Sequence, residues 1–125
     1  SRGAKQAVLV EQNRKAVDCI NRNLEFTKLK DKARVITGDC VAAIDSLERS
    51  GLVFDIIFMD PPYGKLLEKQ VLNRLASSGI VDKNTWIIVE SDLDTEYDYL
   101  TDIGYEIDRV KKYKTNKHTF IQEIL

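Results

Sequence analysis

Asp60-Pro61-Pro62-Tyr63-Gly64 follows an unbroken apolar run, Ile56 to Met59. Such a run, here within residues 53–59, reads as a strand buried on both faces, as in a parallel sheet. Open α/β sheets bind ligands outside the carboxyl ends of their strands. The sequence thus puts a carboxylate, two ring-locked backbone positions and an aromatic face where such a sheet does its chemistry. An exocyclic amine on a nucleobase is a poor nucleophile, because its lone pair is delocalised into the ring. Asp60 and the Pro61 carbonyl can accept the two amine hydrogens and aim the nitrogen at an electrophile. That is catalysis by positioning and by stabilising the positive charge that develops on nitrogen. Pro61 and Pro62 stiffen the loop and lack N–H groups, so carbonyls dominate its surface. Tyr63 offers a ring on which an extruded base can stack, worth about 1–3 kcal/mol per base. The competing reading is a proline-rich turn with an Asp helix cap and a packed tyrosine.

Two earlier strand ends also carry acids. Ala7-Val8-Leu9-Val10 runs into Glu11, and Ala33-Arg34-Val35-Ile36-Thr37 runs into Gly38-Asp39-Cys40. Glu11 can accept from ribose hydroxyls, or it is a solvated strand end. Asp39 can accept from an adenine amine while the Cys40 N–H reaches a ring nitrogen. It can equally cap the helix that follows, and both roles are compatible. Cys40 has no base partner in the sequence and reads as a small packed side chain. His118 is either a surface hairpin residue or a contact to a phosphate or base edge. Trp86 reads as filling the core or a helix–sheet interface, and Glu90 and Asp92 as either lining the strand-end crevice or facing solvent.

These residues need a frame to hold them. Val17, Ile20 and Leu24 mark a helix over residues 13–25; Val41, Ile44 and Leu47 mark a second; Leu67, Val71, Leu72 and Leu75 mark a third, closed by Ser77-Ser78-Gly79. Residues 85–90 form a further buried strand, residues 93–101 a short helix, and residues 105–112 and 117–124 two last strands joined by Lys114-Thr115-Asn116. Alternating strands and helices give right-handed crossovers and a parallel sheet with helices on both faces. The last two strands are too close in sequence for a crossover, so they pair antiparallel.

The chain has 125 residues, 43% hydrophobic and 31% charged, which is ordinary for one soluble globular domain. No apolar stretch is long enough to span a bilayer, and Ser1-Arg2-Gly3-Ala4-Lys5 does not read as a signal peptide. Cys19 and Cys40 lack metal or redox spacing, so a cytoplasmic location with reduced thiols is expected. No cluster has metal-ligand spacing, and no metal is expected. Net charge is −1, yet Arg109, Lys111, Lys112, Lys114 and Lys117 cluster near the C-terminus. Such a patch either contacts phosphates or is a solvated hairpin tip.

Taken in order, Glu11, Asp39 and Asp60-Pro61-Pro62-Tyr63 resemble the class I S-adenosylmethionine-dependent methyltransferases. More closely, the chain is similar to the bacterial 16S ribosomal RNA guanine-N2 methyltransferase D family. Ser1-Arg2-Gly3-Ala4, Val8-Leu9-Val10-Glu11, Gly38-Asp39, Phe58 to Tyr63 and Lys112 to Thr119 carry the resemblance. It implies a Rossmann-like α/β fold as a single domain over residues 1–125, with S-adenosylmethionine as cofactor. Glu11 and Gln12 would then hold the ribose side of the cofactor, Asp39 and Cys40 the adenine, and Asp60 would face both cofactor and target. Asp60, Pro61, Pro62 and Tyr63 would grip the guanine amine. Tyr63, Lys112, Lys114, Lys117 and His118 would hold ribosomal RNA, naked or within a small-subunit particle.

The Gly-rich loop of that family, which receives the methionine part of the cofactor, has no counterpart here. In the usual order 3-2-1-4-5-7-6 the missing strand is the central one, so two open strand edges are expected, as is an incomplete N-terminal portion. The alternatives are an adenine-N6 or other amine methyltransferase, or an inactive nucleotide- or RNA-binding fragment. The 49 positions from Glu11 to Asp60 leave no room for a large recognition insert. An NAD-binding domain would explain Glu11 but not residues 60–63, and a Gly-rich pyrophosphate turn is lacking.

Overall fold

A computed structural model describes residues 4–61 and 67–124. Two compact units divide the chain, Ser1–Ser46 and Leu47–Leu125. In the first, β1 (Ala7–Glu11) pairs in parallel with β2 (Ala33–Thr37). Between them runs α1 (Arg14–Phe26), whose N-cap Asn13 accepts from Lys15 N at 2.9 Å and Ala16 N at 3.3 Å. Its apolar stripe turns Val17 inward, and Thr27 closes it by bonding back to Asn23. Helix α2 (Cys40–Arg49) follows β2 and buries Ala43, Ile44 and Leu47.

The second unit is a four-stranded sheet in the order β3-β4-β6-β5. Strand β3 (Ile56–Met59) pairs in parallel with β4 (Trp86–Asp92), across helix α3 (Leu67–Ala76). Strand β6 (Asn116–Glu123) inserts antiparallel between β4 and β5 (Tyr105–Lys112). The last two strands thus pair as their short connection requires. The order inside each sheet, β1-β2 and β3-β4-β6-β5, agrees with the neighbours expected for these strands. Among the described residues, β1 and β3 each have one edge without a strand partner.

Ile87, Val89 and Ile121 are fully buried on one face of this sheet, together with Leu72, Leu75, Leu100 and Tyr105. Thr85, also fully buried, donates to Phe54 O at 2.6 Å and accepts from Asp82 N at 3.0 Å, tying the start of β4 to the approach to β3. Thr85→Val keeps the shape and removes both bonds. Stability should fall by about 1–3 kcal/mol, read from the urea midpoint.

Four expectations are corrected. The strand expected over residues 53–59 begins only at Ile56, because Phe54 N instead bonds Ile80 O at 2.9 Å. It is not buried on both faces: Ile56 is 63% exposed and Phe58 55%. The two side chains share a face that no described element of this unit closes; Ile56 lies along an open groove there with Trp86, Ile88, Asp108, Arg109 and Phe120. Trp86 is accordingly half-buried, edge-on to Phe120, and not a core residue. The helix expected over residues 93–101 does not form; turns lead to a short 3-10 segment at Thr101–Ile103.

Candidate active site

Glu11 ends β1 and Asp39 follows β2, so parallel pairing brings the two acids to neighbouring carboxyl ends. Gly38 makes the turn between, with φ of 147°, a conformation that side-chain-bearing residues rarely adopt, and its N–H donates to Glu11 O at 2.9 Å. One Glu11 carboxylate oxygen, Oε1, accepts from Asn13 N at 3.1 Å. One Asp39 oxygen, Oδ2, accepts from Ala42 N at 3.3 Å. The helix-capping reading of Asp39 therefore holds, and the second oxygen of each acid points to no recorded partner among the described residues. Gln12 is exposed beside them. Cys40 is exposed as a residue, yet burial of its thiol, then the charges of Asp39 and Glu11, push its pKa up. It stays a protonated thiol, unsuited to nucleophilic attack.

In the other unit, Asp60 is an exposed residue directly after β3, and Pro61 is half-buried. Pro62 and Tyr63 lie outside the described residues. Parallel register sets Met59 opposite Val89, which brings Asp60 alongside Glu90 on β4. Their carboxyl groups are close enough to influence each other's ionisation. Glu90 lies opposite His118 on β6, and His118 Nε2 is 3.1 Å from Glu90 Oε1. Asn116 Nδ2 donates to the same oxygen at 3.0 Å. The imidazole is framed edge-on by Phe58, with centroids 5.8 Å apart, and by Tyr113 at 4.9 Å.

The electrostatics follow from these contacts. Desolvation, then the hydrogen bond and charge of Glu90, push the Asp60 pKa up, while His118 partly opposes them. Glu90 is held below the usual carboxylate range by its hydrogen bonds to His118 and then Asp60. Of the two acids, Asp60 is therefore the one more readily protonated.

The basic residues are not gathered in one place. His118 shares its sheet face with Glu90 and Lys111 through the cross-strand register. Lys117 projects to the other face, where Nζ donates to Thr95 O at 2.6 Å and stands 5.7 Å from the Tyr97 ring centroid. Lys112, opposite Lys117, and Lys114, in the turn, are exposed. Sequence reading left Glu90 undecided and took Asn116 only as part of a turn. The signal for Glu90 was present: it ends the apolar run Ile87 to Val89 as Asp60 ends Ile56 to Met59. No local signal marks Asn116, whose partner is 26 residues away. Among the described residues no group of three or more His, Cys, Asp or Glu could hold a metal ion, and no helix is long and apolar enough to cross a membrane.

Comparison with known proteins places this geometry. The family model described as conserved hypothetical protein 95 matches residues 1–122. Ribosomal RNA small subunit methyltransferase D of Escherichia coli K12 is 31% identical over 94 residues, 75% of this chain and 46% of that protein. A solved structure, a conserved hypothetical protein of Streptococcus pyogenes, superposes with a TM-score of 0.84 at 28% identity, covering 98% of this chain and 74% of that one. The mitomycin 7-O-methyltransferase MmcR, 12% identical, shares the fold alone, with a TM-score of 0.69 over 98% of this chain and 50% of its own. The chain spans about half the length of the curated relatives it matches over three quarters of its residues. With the Rossmann-like α/β fold and the acid-ended parallel strands already described, the chain belongs to the conserved hypothetical protein 95 family, to which its resemblance to methyltransferase D pointed.

Proposed function

We propose that this chain is the catalytic domain, or a large part of it, of an S-adenosylmethionine-dependent methyltransferase. Its target is the exocyclic N2 amine of a guanine in small-subunit ribosomal RNA. The observation that carries the reading is Asp60, an exposed acid at the carboxyl end of a parallel strand, followed by Pro61. Family membership and the name of the Escherichia coli relative support ribosomal RNA as substrate. The cytoplasm, where that RNA is found, is the proposed location.

The residues present fit the nucleoside part of the cofactor. Glu11 and Asp39 are acceptors on adjacent strand ends, each with an oxygen beyond its backbone bond. Glu11, aided by Gln12, would accept from the ribose, and Asp39 with the Cys40 N–H would bind the adenine. When bound, the cofactor supplies an electrophilic methyl group. The chain's own part is to hold the base and manage its proton. The base is turned out of its stack. Asp60 and the Pro61 carbonyl accept from the amine, which fixes the nitrogen for in-line attack. Tyr63 stacks on the base, and Lys112, Lys114, Lys117 and His118 hold the RNA around it.

Tyr63→Ala should lower kcat/KM for RNA roughly 10- to 100-fold, the equivalent of a lost base stack. Tyr63→Phe should stay within about twofold, because stacking needs the ring and not the hydroxyl. The reading itself is tested by disrupting the gene and analysing digested ribosomal RNA by mass spectrometry. Loss of N2-methylguanosine from the small-subunit RNA is expected; an unchanged nucleoside profile would sink it.

A further inference from the structure

We propose that Glu90, fixed by His118 and Asn116, is the positioning residue that makes Asp60 the acceptor of the proton released by the methylated amine. The inference rests on the amine-methyltransferase reading above and adds a route for the proton. Methyl transfer leaves the amine nitrogen with a positive charge. One N–H bond must then break, its electron pair staying on nitrogen. The proton forms an O–H bond on the Asp60 carboxylate, and that O–H donates to the Glu90 carboxylate. Asp60 is exposed, so the proton then passes to water and the carboxylate is restored.

Three observations support this route. The parallel register, Met59 opposite Val89, brings Asp60 alongside Glu90. Glu90 Oε1 lies 3.1 Å from His118 Nε2 and accepts from Asn116 Nδ2 at 3.0 Å, which fixes the Glu90 carboxyl group in place. Its side chain is only 22% exposed and that of His118 only 23%, which protects the arrangement from water. Other groups face this row as well. Lys111 on β5 lies opposite His118, with its Nζ 5.5 Å from the Tyr113 ring centroid. Glu90 thus opposes the ionisation of Asp60, and His118 favours it. The cationic nitrogen is a strong acid, and the neighbouring Glu90 raises the basicity of the Asp60 carboxylate that receives its proton.

The test uses the full polypeptide that the gene encodes, with two readouts. The first is the titration of the Asp60 carboxyl carbon followed by NMR. In Glu90→Gln, nearly isosteric, the Asp60 midpoint should move to lower pH. In His118→Gln, which keeps an N–H for Glu90 but loses the imidazole, it should move to higher pH. Opposite displacements are a signature that a purely structural role does not give. Thermal melting of both variants confirms that they fold. The second readout is the pH profile of kcat with ribosomal RNA. Glu90→Gln should lower kcat on the order of 10- to 100-fold, with KM for RNA little changed, and carry the acidic limb downward with the Asp60 midpoint. An Asp60 midpoint unmoved by Glu90→Gln overturns the inference, whatever the activity. Midpoints that move in a polypeptide that methylates no amine would instead refute the proposed function and leave the coupling intact.

Discussion

Asp60→Ala should reduce turnover about 10²–10⁴-fold while leaving affinity for S-adenosylmethionine within about threefold. The asymmetry follows from where the residue stands. Asp60 follows β3, alongside Glu90, whereas of the proposed nucleoside ligands Glu11 ends β1 and Asp39 follows β2. Removing the carboxylate takes away an acceptor for the amine hydrogen and the proposed sink for its proton, both of which matter most in the transition state. Interactions made only there appear in kcat and not in ground-state binding. Single-turnover methylation of ribosomal RNA gives the first quantity and calorimetric titration of the cofactor the second. Equal losses in both would mean that Asp60 is chiefly a cofactor ligand. Asp60→Asn keeps an acceptor oxygen but cannot take up the proton, so it should fall between Ala and the native residue.

Much of the frame was legible because its signals are local. Each parallel strand is a short apolar run closed by an acid, and each helix shows an apolar stripe between caps such as Asn13 and Asp39. The antiparallel ending follows from a connection too short for a crossover. The misread segment after β4 has a different cause. Thr95 N and Oγ1 both bond Asp92, and Lys117 Nζ, 22 residues away, clamps Thr95 O. Side-chain and backbone bonds of this kind compete with a helical turn, and the apolar spacing around Tyr97 and Leu100 does not reveal them.

The candidate site was legible residue by residue but not as a constellation. Asp60 announces itself through the strand it ends and the prolines behind it. Its coupling to His118 does not, because that depends on β6 entering the sheet between β4 and β5. Only then do Glu90 and His118, 28 residues apart, become cross-strand neighbours. The same insertion turns Lys117 to the face away from His118, so a basic cluster that looks continuous in sequence is divided by the alternation of a strand.

That insertion also sets the largest stability effect expected. Ile121 on β6 is fully buried and sits in one row with Ile87 of β4 and Ile107 of β5. Ile121→Ala removes three buried carbons from the middle of the row, where strands on both sides limit collapse into the space. A loss of about 2–5 kcal/mol is expected, read as a lower urea midpoint by circular dichroism. Phe58→Ala on the open face is the contrast. Phe58 is 55% exposed, and its ring meets His118 edge-on at 5.8 Å, so truncation should cost under about 1.5 kcal/mol despite the larger side chain. Equal losses for the two variants would mean that the face carrying Ile56 and Phe58 is covered in solution. Asp60 and Glu90 would then sit at the rim of a closed surface, and the direct release of the proton from Asp60 to water would have to be abandoned.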